Sequence, residues 1–492
     1  MINKISLQNF QGFGMPATAE LKPITLIFGP NASGKSSIGR AIRLVDNSIR
    51  DRSIGQQSDF ELMFESANLS LASYENVVFR HENDSLITIS LSFPPSGDGF
   101  ERFEGIKELE IVWTIASPGQ VTGWEIVIST TPPAKGDKSS TGQLRIKLEK
   151  IDGRVKFEEI SGEEVIGRLM NSLKIHRRPS TTPRLDKRSA LLTNYYESSG
   201  DIAWNQLLDE CSWGPNGPVP FIRSQWRNFE YPAAVPFEDS EPDARDAERI
   251  EYMNAILNYV SRSLSRHLPA VQHVPPLRDL APRITVGQAN TNFVKSRFTV
   301  KGRLPLNSSD SAVSTWLEKL TNGRYRYQQV EFQANAIGFF GTLSADIVVD
   351  TRTKTRVSFE DVGVGLSQVL PVLQALSYLE QSADTSFKIA LIEQPELHLH
   401  PAMQAELADL MVNVVKANPN AQLIAETHSE AILLRTQKLI RDGVIDPTQV
   451  QILYVDQGEK GNKVTAIELS QENGFEANLP ISFAGLRLLE NL

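Results

Sequence analysis

One short motif constrains the fold of this chain more than any other feature. Residues 29–36 read Gly-Pro-Asn-Ala-Ser-Gly-Lys-Ser, which matches the phosphate-binding pattern G-x-x-x-x-G-K-[S/T]. An apolar run at Ile24–Phe28 precedes the motif, and an amphipathic helical pattern over residues 38–45 follows it. A buried strand, a glycine-rich loop and a helix in this order predict a P-loop unit.

Each part of this motif has a physical role. Glycines let backbone N–H groups curl around phosphate oxygens, and the N-terminus of the following helix adds partial positive charge. Lys35 is predicted to reach the β- and γ-phosphates of ATP, and the Ser36 hydroxyl to ligate Mg²⁺. The alternative, a chance glycine-rich turn, is disfavoured by the flanking strand and helix. The predicted nucleotide site comprises Gly29, Pro30, Asn31, Ala32, Ser33, Gly34, Lys35, Ser36 and Ser37.

A second strand ends in an acid. Four apolar residues, Ile389–Ile392, are followed by Glu393, which is predicted to hold Mg²⁺ together with Ser36. Two histidines, His398 and His400, come shortly before a helix, and they have two interpretations. A metal site is one of them, but structural histidines at a helix start are favoured.

A third apolar strand, Gln422–Ala425, ends in Glu426-Thr427-His428-Ser429. Polar residues after a buried strand are where α/β proteins place ligand contacts. His428 is therefore a candidate sensor of the γ-phosphate. The structural alternative is a helix-capping segment with Ser429 as the N-cap, and the two interpretations are compatible.

These pieces, in this order and about 350 residues apart, resemble ABC-type ATPases of the RecF/SMC/OLD branch. Residues 5–13 resemble the first strand and N-F-x-x-F turn of that branch, and residues 393–401 resemble its acidic P-E-x-H-L-H-P stretch. Residues 361–371 resemble the variant signature motif of stand-alone bacterial ATPases, and residues 275–279 resemble their P-L-R segment. OLD-family ATPases and the Septu PtuA ATPases of antiphage defence are the relatives that these motifs suggest.

The resemblance implies a mode of action. In this family two heads sandwich two ATP molecules, and the signature helix of one head completes the site of the other. By this resemblance Gly363, Gly365 and Ser367 contact the γ-phosphate in trans. The implied partners are a second copy of the chain and an effector protein such as a nuclease.

The catalytic position departs from the pattern of the family. The acid at Glu393 is usually followed by a glutamate that polarises the attacking water, and here the residue is Gln394. An amide orients water but does not accept its proton. Hydrolysis is then slow, or Glu396 or His428 substitutes, or the protein is mainly a nucleotide-sensing switch. The catalytic set predicted from the sequence is Glu393, Gln394, Glu396 and His428.

The order of elements predicts an α/β fold: a P-loop head with a mixed sheet and an antiparallel β-subdomain, interrupted by a long α+β insertion. We divide the chain into residues 1–160, 161–340 and 341–492, with the insertion in the middle. That insertion is broken by Pro and Gly and has no sustained heptads, so no long coiled coil is expected. Only 63 residues follow Ser429, with no Asp-x-Asp pair, so no nuclease domain is expected.

Composition limits the cellular setting. A single cysteine, Cys211, excludes an intrachain disulfide, and no signal peptide or 18-residue apolar run occurs, so a cytoplasmic protein is expected. The net charge of −9 argues against indiscriminate DNA coating. A local run of basic residues has two interpretations. It contacts DNA phosphates, as in RecF-like proteins, or it is a solvated loop. Its proposed DNA-binding members are Arg177, Arg178, Arg184, Lys187 and Arg188.

Three functions follow from these observations. The first is an ATP-binding and hydrolysing switch whose head dimer controls a separate effector, such as a nuclease in prokaryotic antiphage defence. The second is a RecF-like DNA-repair ATPase. The third, suggested by Gln394, is a nucleotide-stabilised scaffold with little hydrolysis.

Overall fold

The structure is a computed structural model of the 492-residue chain. The residues that it describes are 1–50, 62, 64–65, 69–95, 106–130, 142–151, 154–162, 165, 211–213, 235–236, 256, 259–260, 263–264, 266–268, 271–276, 278, 285–286, 310–336, 339–359, 361–381, 387–470 and 474–475.

The strands of the described part of the chain are labelled in chain order. They are β1 (Lys4–Gln8), β2 (Ala17–Glu20), β3 (Ile24–Phe28), β4 (Ile87–Phe93), β5 (Ile106–Ala116), β6 (Gln120–Thr130), β7 (Gln143–Ile151), β8 (Arg154–Ser161), β9 (Cys211–Trp213), β10 (Val235–Pro236), β11 (Val271–Val274), β12 (Thr285–Val286), β13 (Tyr325–Ala336), β14 (Phe339–Asp350), β15 (Arg356–Ser358), β16 (Lys388–Glu393), β17 (Ala421–Glu426), β18 (Val450–Asp456), β19 (Lys463–Ile467), β20 (Leu469–Ser470) and β21 (Gly474–Phe475).

The helices with described bounds are labelled in the same way. They are α1 (Lys35–Arg50), α2 (Tyr74–Val77), α3 (Asp310–Leu320), α4 (Val364–Glu380), α5 (Pro401–Ala417) and α6 (Glu430–Arg441), with 3₁₀ turns at Phe79–His81 and Pro447–Gln449.

A mainly parallel sheet positions the predicted site. Within the described residues its strand order is β11-β16-β17-β3-β18-β19, and only β19 runs antiparallel to its neighbour. Because β3, β16 and β17 are parallel, their carboxyl ends lie at one edge of the sheet. The P-loop, Glu393 and Glu426 leave the sheet at that edge, which is where open α/β sheets bind ligands.

Both faces of this sheet are covered, as the apolar sequences of its strands require. Along β16, Ile389 and Leu391 join one hydrophobic cluster, whereas Ala390 and Ile392 join another. The first cluster contains α1 and the antiparallel sheet, and the second contains α4, α5 and α6. The alternation follows from the two-residue period of a strand, so one buried strand packs against two layers.

A separate antiparallel sheet contains nine of the described strands. Its order is β10-β9-β8-β7-β6-β5-β4-β1-β2. The pairing of β1 with both β2 and β4 joins the N-terminal strands to the later meander. The large side chains of Trp113 and Trp124 are buried on it. A second antiparallel unit contains β12 to β15, with the twelve-residue strands β13 and β14 as its hairpin.

The predicted α/β class is confirmed, with a mixed sheet that contains the strand and helix around the P-loop and with a separate antiparallel sheet. The strand at Ile24–Phe28 and the helix after the P-loop are where the sequence placed them. The short strand β2 and the β13–β14 hairpin are additional findings. Strand β11, which belongs to the segment proposed as the insertion, pairs in parallel with β16. The three domain boundaries stay a prediction.

The spacing of apolar residues also predicts helices over residues 163–173 and 243–268, and both lie mostly outside the described residues. Of the helix predicted over 163–173, only Val165 is described. The described residues between Ile256 and His267 are helical, in agreement with a helix over 243–268. None of the described helices is long and apolar enough to cross a membrane. The longest of them, α4 and α5, have 17 residues each.

A buried histidine lies in the core beside β4. The His267 ring is stacked between Phe93 and Phe387, with ring centroids 5.7 Å and 4.8 Å away. Burial lowers the pKa of His267 to about 3, and the positive charges of the Met1 amino group and Arg266 add smaller effects in the same direction. The ring is therefore neutral in the folded protein at neutral pH.

This histidine predicts loss of stability in mild acid. Since its folded pKa lies below the ordinary value of 6.5, the unfolded chain binds the proton first as the pH falls. The stabilisation is complete above pH 6.5 and decreases towards pH 3, by about 2 kcal/mol at pH 5. The Met1 amino nitrogen lies 3.3 Å from His267 Nδ1, and burial lowers its pKa to about 4, so it contributes in the same direction. We therefore expect His267→Phe to reduce, without abolishing, the dependence of the urea-unfolding free energy on pH over this range.

The matched control replaces the exposed His400 with asparagine, which retains helix-capping ability. His400→Asn should keep the wild-type pH dependence. An unchanged pH dependence in His267→Phe would contradict the assignment.

Candidate functional site

The P-loop connects β3 to α1 and carries a buried lysine. Lys35 Nζ donates hydrogen bonds to the carbonyl oxygens of Gly29 at 3.0 Å and Pro30 at 2.7 Å. Burial lowers the pKa of Lys35, and the nearby charge of Glu426 opposes that shift. The ammonium group is thus held at the centre of the loop, next to the first turn of the helix.

Two features of the loop fit a bound phosphate. Gly29 has φ +147°, and a Cβ there would come 2.1 Å from the carbonyl oxygen of Val455, so any other residue would displace the loop. The Ser33 hydroxyl is fully buried and has no hydrogen-bond partner in the described structure. An unsatisfied buried hydroxyl is costly unless a ligand completes it. Gln457 on the β18–β19 turn braces the loop by donating to Ala32 O at 3.0 Å.

Ser36, the serine predicted to bind Mg²⁺, faces an acid that was not among the predicted site residues. Ser36 Oγ donates to Glu426 Oε2 at 2.6 Å, and Lys35 Nζ lies 3.9 Å from Glu426 Oε1. Burial raises the pKa of the Glu426 carboxyl, the hydrogen bond from Ser36 opposes this, and the charge of Glu393 adds to it. The signal in the sequence was the repeated pattern of an apolar strand followed by glutamate.

The predicted metal ligand Glu393 has a different neighbour. Its Oε1 lies 2.7 Å from His273 Nε2 on β11, and Arg43 Nη1 lies 3.5 Å from the same ring nitrogen. Burial alone would raise the pKa of Glu393, but the His273 hydrogen bond and the charges of His273, Arg40 and Arg43 lower it overall. Glu393 is therefore an ionised carboxylate surrounded by the basic side chains of His273, Arg40 and Arg43. Sequence patterns gave no indication of His273, because it becomes a neighbour only through strand pairing.

The described residues supply oxygen ligands but no complete metal cage. None of their clusters brings together three or more His, Cys, Asp or Glu side chains in a position to hold a metal ion. This donor set suits Mg²⁺, which is held by one or two protein oxygens together with phosphate oxygens and water. Ser36, with Glu393 or Glu426, would supply the protein oxygens, and the ion would neutralise phosphate charge.

The turn after β16 positions the remaining predicted catalytic residues. Gln394 has φ +47°, and its backbone N–H donates to Glu426 O at 2.7 Å. Within the described residues its side-chain amide has no hydrogen-bond partner. Glu396 accepts from Thr427 Oγ1 and from the His428 backbone N–H, both at 2.7 Å. Glu396 thus holds the segment after β17 in place, which favours a positioning role over that of a base.

His428 lies on that segment with its side chain exposed. Partial burial of the ring, together with the charge of Lys35, lowers the pKa of His428. A neutral imidazole near Lys35 suits the predicted phosphate sensor, which stays a prediction. The next residue caps α6: Ser429 Oγ accepts from the Ile432 N–H at 3.0 Å. The capping interpretation of this segment is therefore confirmed.

Of the two histidines before α5, one has a structural role that is directly visible. His400 is the N-cap of α5, and its Nδ1 accepts from the Ala402 N–H at 3.3 Å. His398 has φ +61°, and its carbonyl oxygen lies against Gly365 of the signature segment. The stretch around these histidines is therefore a packing surface for α4.

The signature segment, residues 361–371, forms the turn before α4 and the first part of that helix. Gly363 is the N-cap with φ +103°, a conformation that favours glycine, and both Gly363 and Val364 are exposed. Ser367 is buried one turn later, where its hydroxyl donates to Val364 O at 3.0 Å. The exposed part of the segment is thus the turn itself, whereas the Ser367 hydroxyl is satisfied within its own helix.

A buried arginine joins this segment to the turn after β16. Arg278 donates to the carbonyl oxygens of Pro275, Gln368, Glu393 and Gln394 at 2.8–3.0 Å. Gln368 returns a bond from its side chain to Arg278 O at 2.7 Å. Burial lowers the pKa of Arg278 to about 10, so it stays charged at neutral pH. This contact gives a physical reason for the P-L-R segment.

The structure brings together most of the predicted site. Lys35, Ser36, Glu393, Gln394 and His428 lie at one edge of the parallel sheet, with the rest of the P-loop and Glu396. Gly363, Gly365 and Ser367 lie on α4, beyond the turn that Arg278 holds. The predicted DNA-binding run, residues 177–188, lies outside the described residues.

Comparison with known proteins agrees with this geometry. A family model described as an AAA ATPase domain matches residues 1–109 and 146–433, which is well over half of the chain. No curated protein matches the sequence.

Solved structures with similarity include three SMC head domains. One is an Smc head bound to the C-winged helix domain of ScpA, with 13% identity, coverage of 96% of this chain and 98% of that chain, and a TM-score of 0.41. An Smc head with an extended coiled coil, bound to the C-terminal domain of ScpA derived from Pyrococcus furiosus, has 13% identity, coverage of 100% and 98%, and a TM-score of 0.40. The SMC head domain from Thermotoga maritima has 11% identity, coverage of 95% and 99%, and a TM-score of 0.36.

The P-loop geometry, the acidic strand ends beside it and the extent of the family match lead to one conclusion. The chain belongs to the AAA ATPase domain family.

Proposed function

We propose that this protein is an ATP-binding and ATP-hydrolysing switch whose heads dimerise on ATP and control a separate effector. The observation that carries the proposal is the Arg278 contact, which ties α4, at Gln368, to the turn that holds Gln394. The exposed signature turn, Gly363 and Val364, begins this same helix. A change at the nucleotide therefore has a direct physical route to the surface where a second head would dock.

The site supports ATP binding through charge and shape. Lys35 supplies a buried positive charge, and the loop before it has the glycines and the unsatisfied Ser33 hydroxyl that a phosphate would complete. Bound Mg²⁺ supplies neutralisation of phosphate charge and a Lewis acid at the phosphoryl oxygen. Hydrolysis then depends on groups that place and activate the attacking water.

Gln394 is the residue best placed to orient that water. Its backbone is fixed on both sides, by the N–H bond to Glu426 O and by the Arg278 bond to its own carbonyl. Its side-chain amide has no protein partner among the described residues, and so it is available to water. Because an amide is no base, we propose slow hydrolysis.

The signature turn supports dimerisation. Val364 is 54% exposed and follows the exposed Gly363, so the turn presents backbone and one apolar side chain at the surface. In our proposal the turn of one head meets the nucleotide of the other, with Gly363 and Gly365 nearest the γ-phosphate. Ser367 then stabilises the turn from inside the helix.

The effector rests on sequence resemblance. The likeness of residues 361–371 to stand-alone defence ATPases supports a nuclease partner in a prokaryotic antiphage system, in the cytoplasm. The basic run at residues 177–188 supports DNA as a further partner. Gln394 also favours one alternative, a nucleotide-stabilised scaffold with little hydrolysis.

Dimerisation gives the first test of the switch. We expect the wild-type chain to shift from monomer to dimer when ATP is added, as measured by sedimentation velocity. Val364→Arg should abolish the shift and leave ATP affinity within about twofold, because a charged side chain at the contact opposes docking. Lys35→Ala should abolish ATP binding and, with it, the shift to dimer.

The matched control is Leu86→Arg, which places the same charge at another apolar residue that is 49% exposed. It should dimerise normally. Dimerisation of Val364→Arg with wild-type ATP dependence would refute the proposed contact.

Gln394 gives the second test. Gln394→Glu introduces a carboxylate that accepts the proton of the attacking water, so we expect the steady-state ATPase rate to rise at least about tenfold. Gln394→Ala should reduce the rate below wild type, because no side chain orients the water. An unchanged rate in Gln394→Glu would show that another group activates the water. A wild-type chain with no single-turnover hydrolysis would favour the scaffold.

Arg278 gives the third test. Lysine cannot span the four carbonyl oxygens that the guanidinium reaches, so Arg278→Lys leaves some of them unsatisfied. We expect a loss of about 2–4 kcal/mol in the free energy of unfolding in urea. We also expect ATP binding that no longer drives dimerisation.

The control for this variant is Arg435→Lys. Arg435 pairs with Asp409 on the partly exposed surface between α5 and α6. This pair is bidentate, so its replacement by lysine should cost about 1 kcal/mol, which is still less than the loss expected for Arg278→Lys. Equal destabilisation by both variants would argue against a special role for Arg278.

A further inference from the structure

The carboxylate of Glu393 is held from the side by a histidine of the neighbouring strand. His273 Nε2 on β11 lies 2.7 Å from Glu393 Oε1, and the two side chains are only 15% and 19% exposed. Because the sequence predicts Glu393 as a ligand of Mg²⁺, His273 lies directly behind a predicted metal ligand. Within the described residues, the other carboxylate oxygen, Oε2, accepts no hydrogen bond.

Strand pairing explains why the two side chains meet. β11 and β16 are parallel, and His273 lies in register with Leu391. Leu391 and Glu393 are two residues apart on one strand, so all three side chains are on the same face of the sheet. That face is covered by α1, since Leu391 belongs to the hydrophobic cluster that contains α1. His273 is therefore enclosed between the sheet and the helix that follows the P-loop.

The chemistry of the neighbours fixes the direction of the hydrogen bond. An ionised carboxylate has only acceptors, so His273 Nε2 carries the proton and donates to Glu393 Oε1. Arg43 Nη1 of α1 lies 3.5 Å from the same nitrogen, but a guanidinium has only donors. Arg43 therefore adds positive charge beside the pair, and His273 is the donor that orients the carboxylate.

The segment that carries His273 is anchored on both sides of this residue. The Val271 N–H donates to Asp46 Oδ2 on α1 at 3.2 Å. Arg278 donates to the carbonyl oxygen of Glu393 at 2.8 Å. The segment thus holds Glu393 twice, through its side chain and through its backbone. A donor on such an anchored segment keeps a carboxylate in one orientation.

We propose that His273 is a positioning residue of the ATP site, which fixes the Glu393 carboxylate through Oε1 and leaves Oε2 for Mg²⁺ or for a water bound to that ion. The positive charges of Arg40 and Arg43 also attract this carboxylate. Without the directional bond from His273, the carboxylate follows these charges and loses its fixed orientation. Hydrogen-bond partners of metal ligands typically contribute about 10–100-fold to metal affinity, which sets the size of the expected effect.

This inference rests on the proposed ATP binding, and its test separates the two. The affinity of the full-length chain for the non-hydrolysable analogue AMP-PNP is measured by calorimetry in EDTA and in Mg²⁺. The affinity of the AMP-PNP complex for Mn²⁺ is measured by electron paramagnetic resonance. Neither readout depends on hydrolysis.

We expect His273→Phe, which keeps a ring but has no donor, to weaken Mn²⁺ binding about 10–100-fold and to keep its AMP-PNP affinity in EDTA within about threefold. His273→Gln should recover Mn²⁺ affinity to within about threefold of wild type, because its amide N–H reaches the position of Nε2. His273→Asn is one methylene shorter and should bind Mn²⁺ as weakly as His273→Phe.

Two controls separate positioning from a general structural effect. In the background of Glu393→Ala, His273→Phe should cause no further loss of Mn²⁺ affinity, because His273 acts through Glu393. His267→Phe is the same exchange at another buried histidine. His267 is stacked on Phe387, which precedes β16 and so lies at the opposite end of that strand from Glu393. This variant should retain wild-type Mn²⁺ affinity.

Other results overturn the inference. Wild-type Mn²⁺ affinity in a folded His273→Phe would show that the bond does not position the carboxylate. Failure of His273→Gln to recover affinity, or an undiminished loss in the Glu393→Ala background, would assign the effect to packing of the ring. A wild-type chain that binds AMP-PNP in neither buffer would overturn the proposed function itself, and this inference with it. Thermal melting identifies a variant that fails to fold, in which case the comparison of His273→Gln with His273→Asn decides.

Discussion

The parallel pairing of β17 with β3 on one side and with β16 on the other is the constraint on which this site depends. It brings chain segments almost 400 residues apart to one edge of a sheet. The hydrogen bond between Ser36 and Glu426 is a direct result of this pairing. Hydrophobic burial on both faces of the sheet fixes the register, so the position of the acids follows from the packing of the core.

Buried charge then organises the edge of the sheet. Arg278, Lys35 and Arg43 are basic groups largely enclosed by protein, and each is held by carbonyl oxygens or by a neighbouring side chain. Such groups tolerate little displacement, because a lost partner leaves a charge or a polar atom unsatisfied. The turn with Gln394 is fixed by Arg278 and β17 together. A fixed backbone with an unengaged side chain is a suitable arrangement for positioning water.

Local patterns could be predicted where one segment decides the outcome. The P-loop follows from a single stretch of sequence, since strand, glycines, lysine and helix are contiguous, and the Ser429 cap follows from its own neighbours. The contacts of His273 and Arg278 could not be found in this way, although Arg278 belongs to the P-L-R segment noted in the sequence. Their partners come from β16 and α4, between 90 and 120 residues later in the chain. The sequence analysis noted Glu426 as the first residue of the Glu-Thr-His-Ser segment but did not predict it as a site residue. An apolar strand followed by an acid was nevertheless the same pattern that identified Glu393.

The sequence by itself determined the P-loop, the two acidic strand ends and the α/β class, because short-range periodicity and residue chemistry carry that information. Only the tertiary structure decided which acid lies beside Ser36, which group neighbours Glu393, and how Arg278 ties Gln368 of α4 to Gln394. The physical reason is that strand order is a long-range property. It is set by which apolar faces pack together, and no local pattern records the distance between two strand ends.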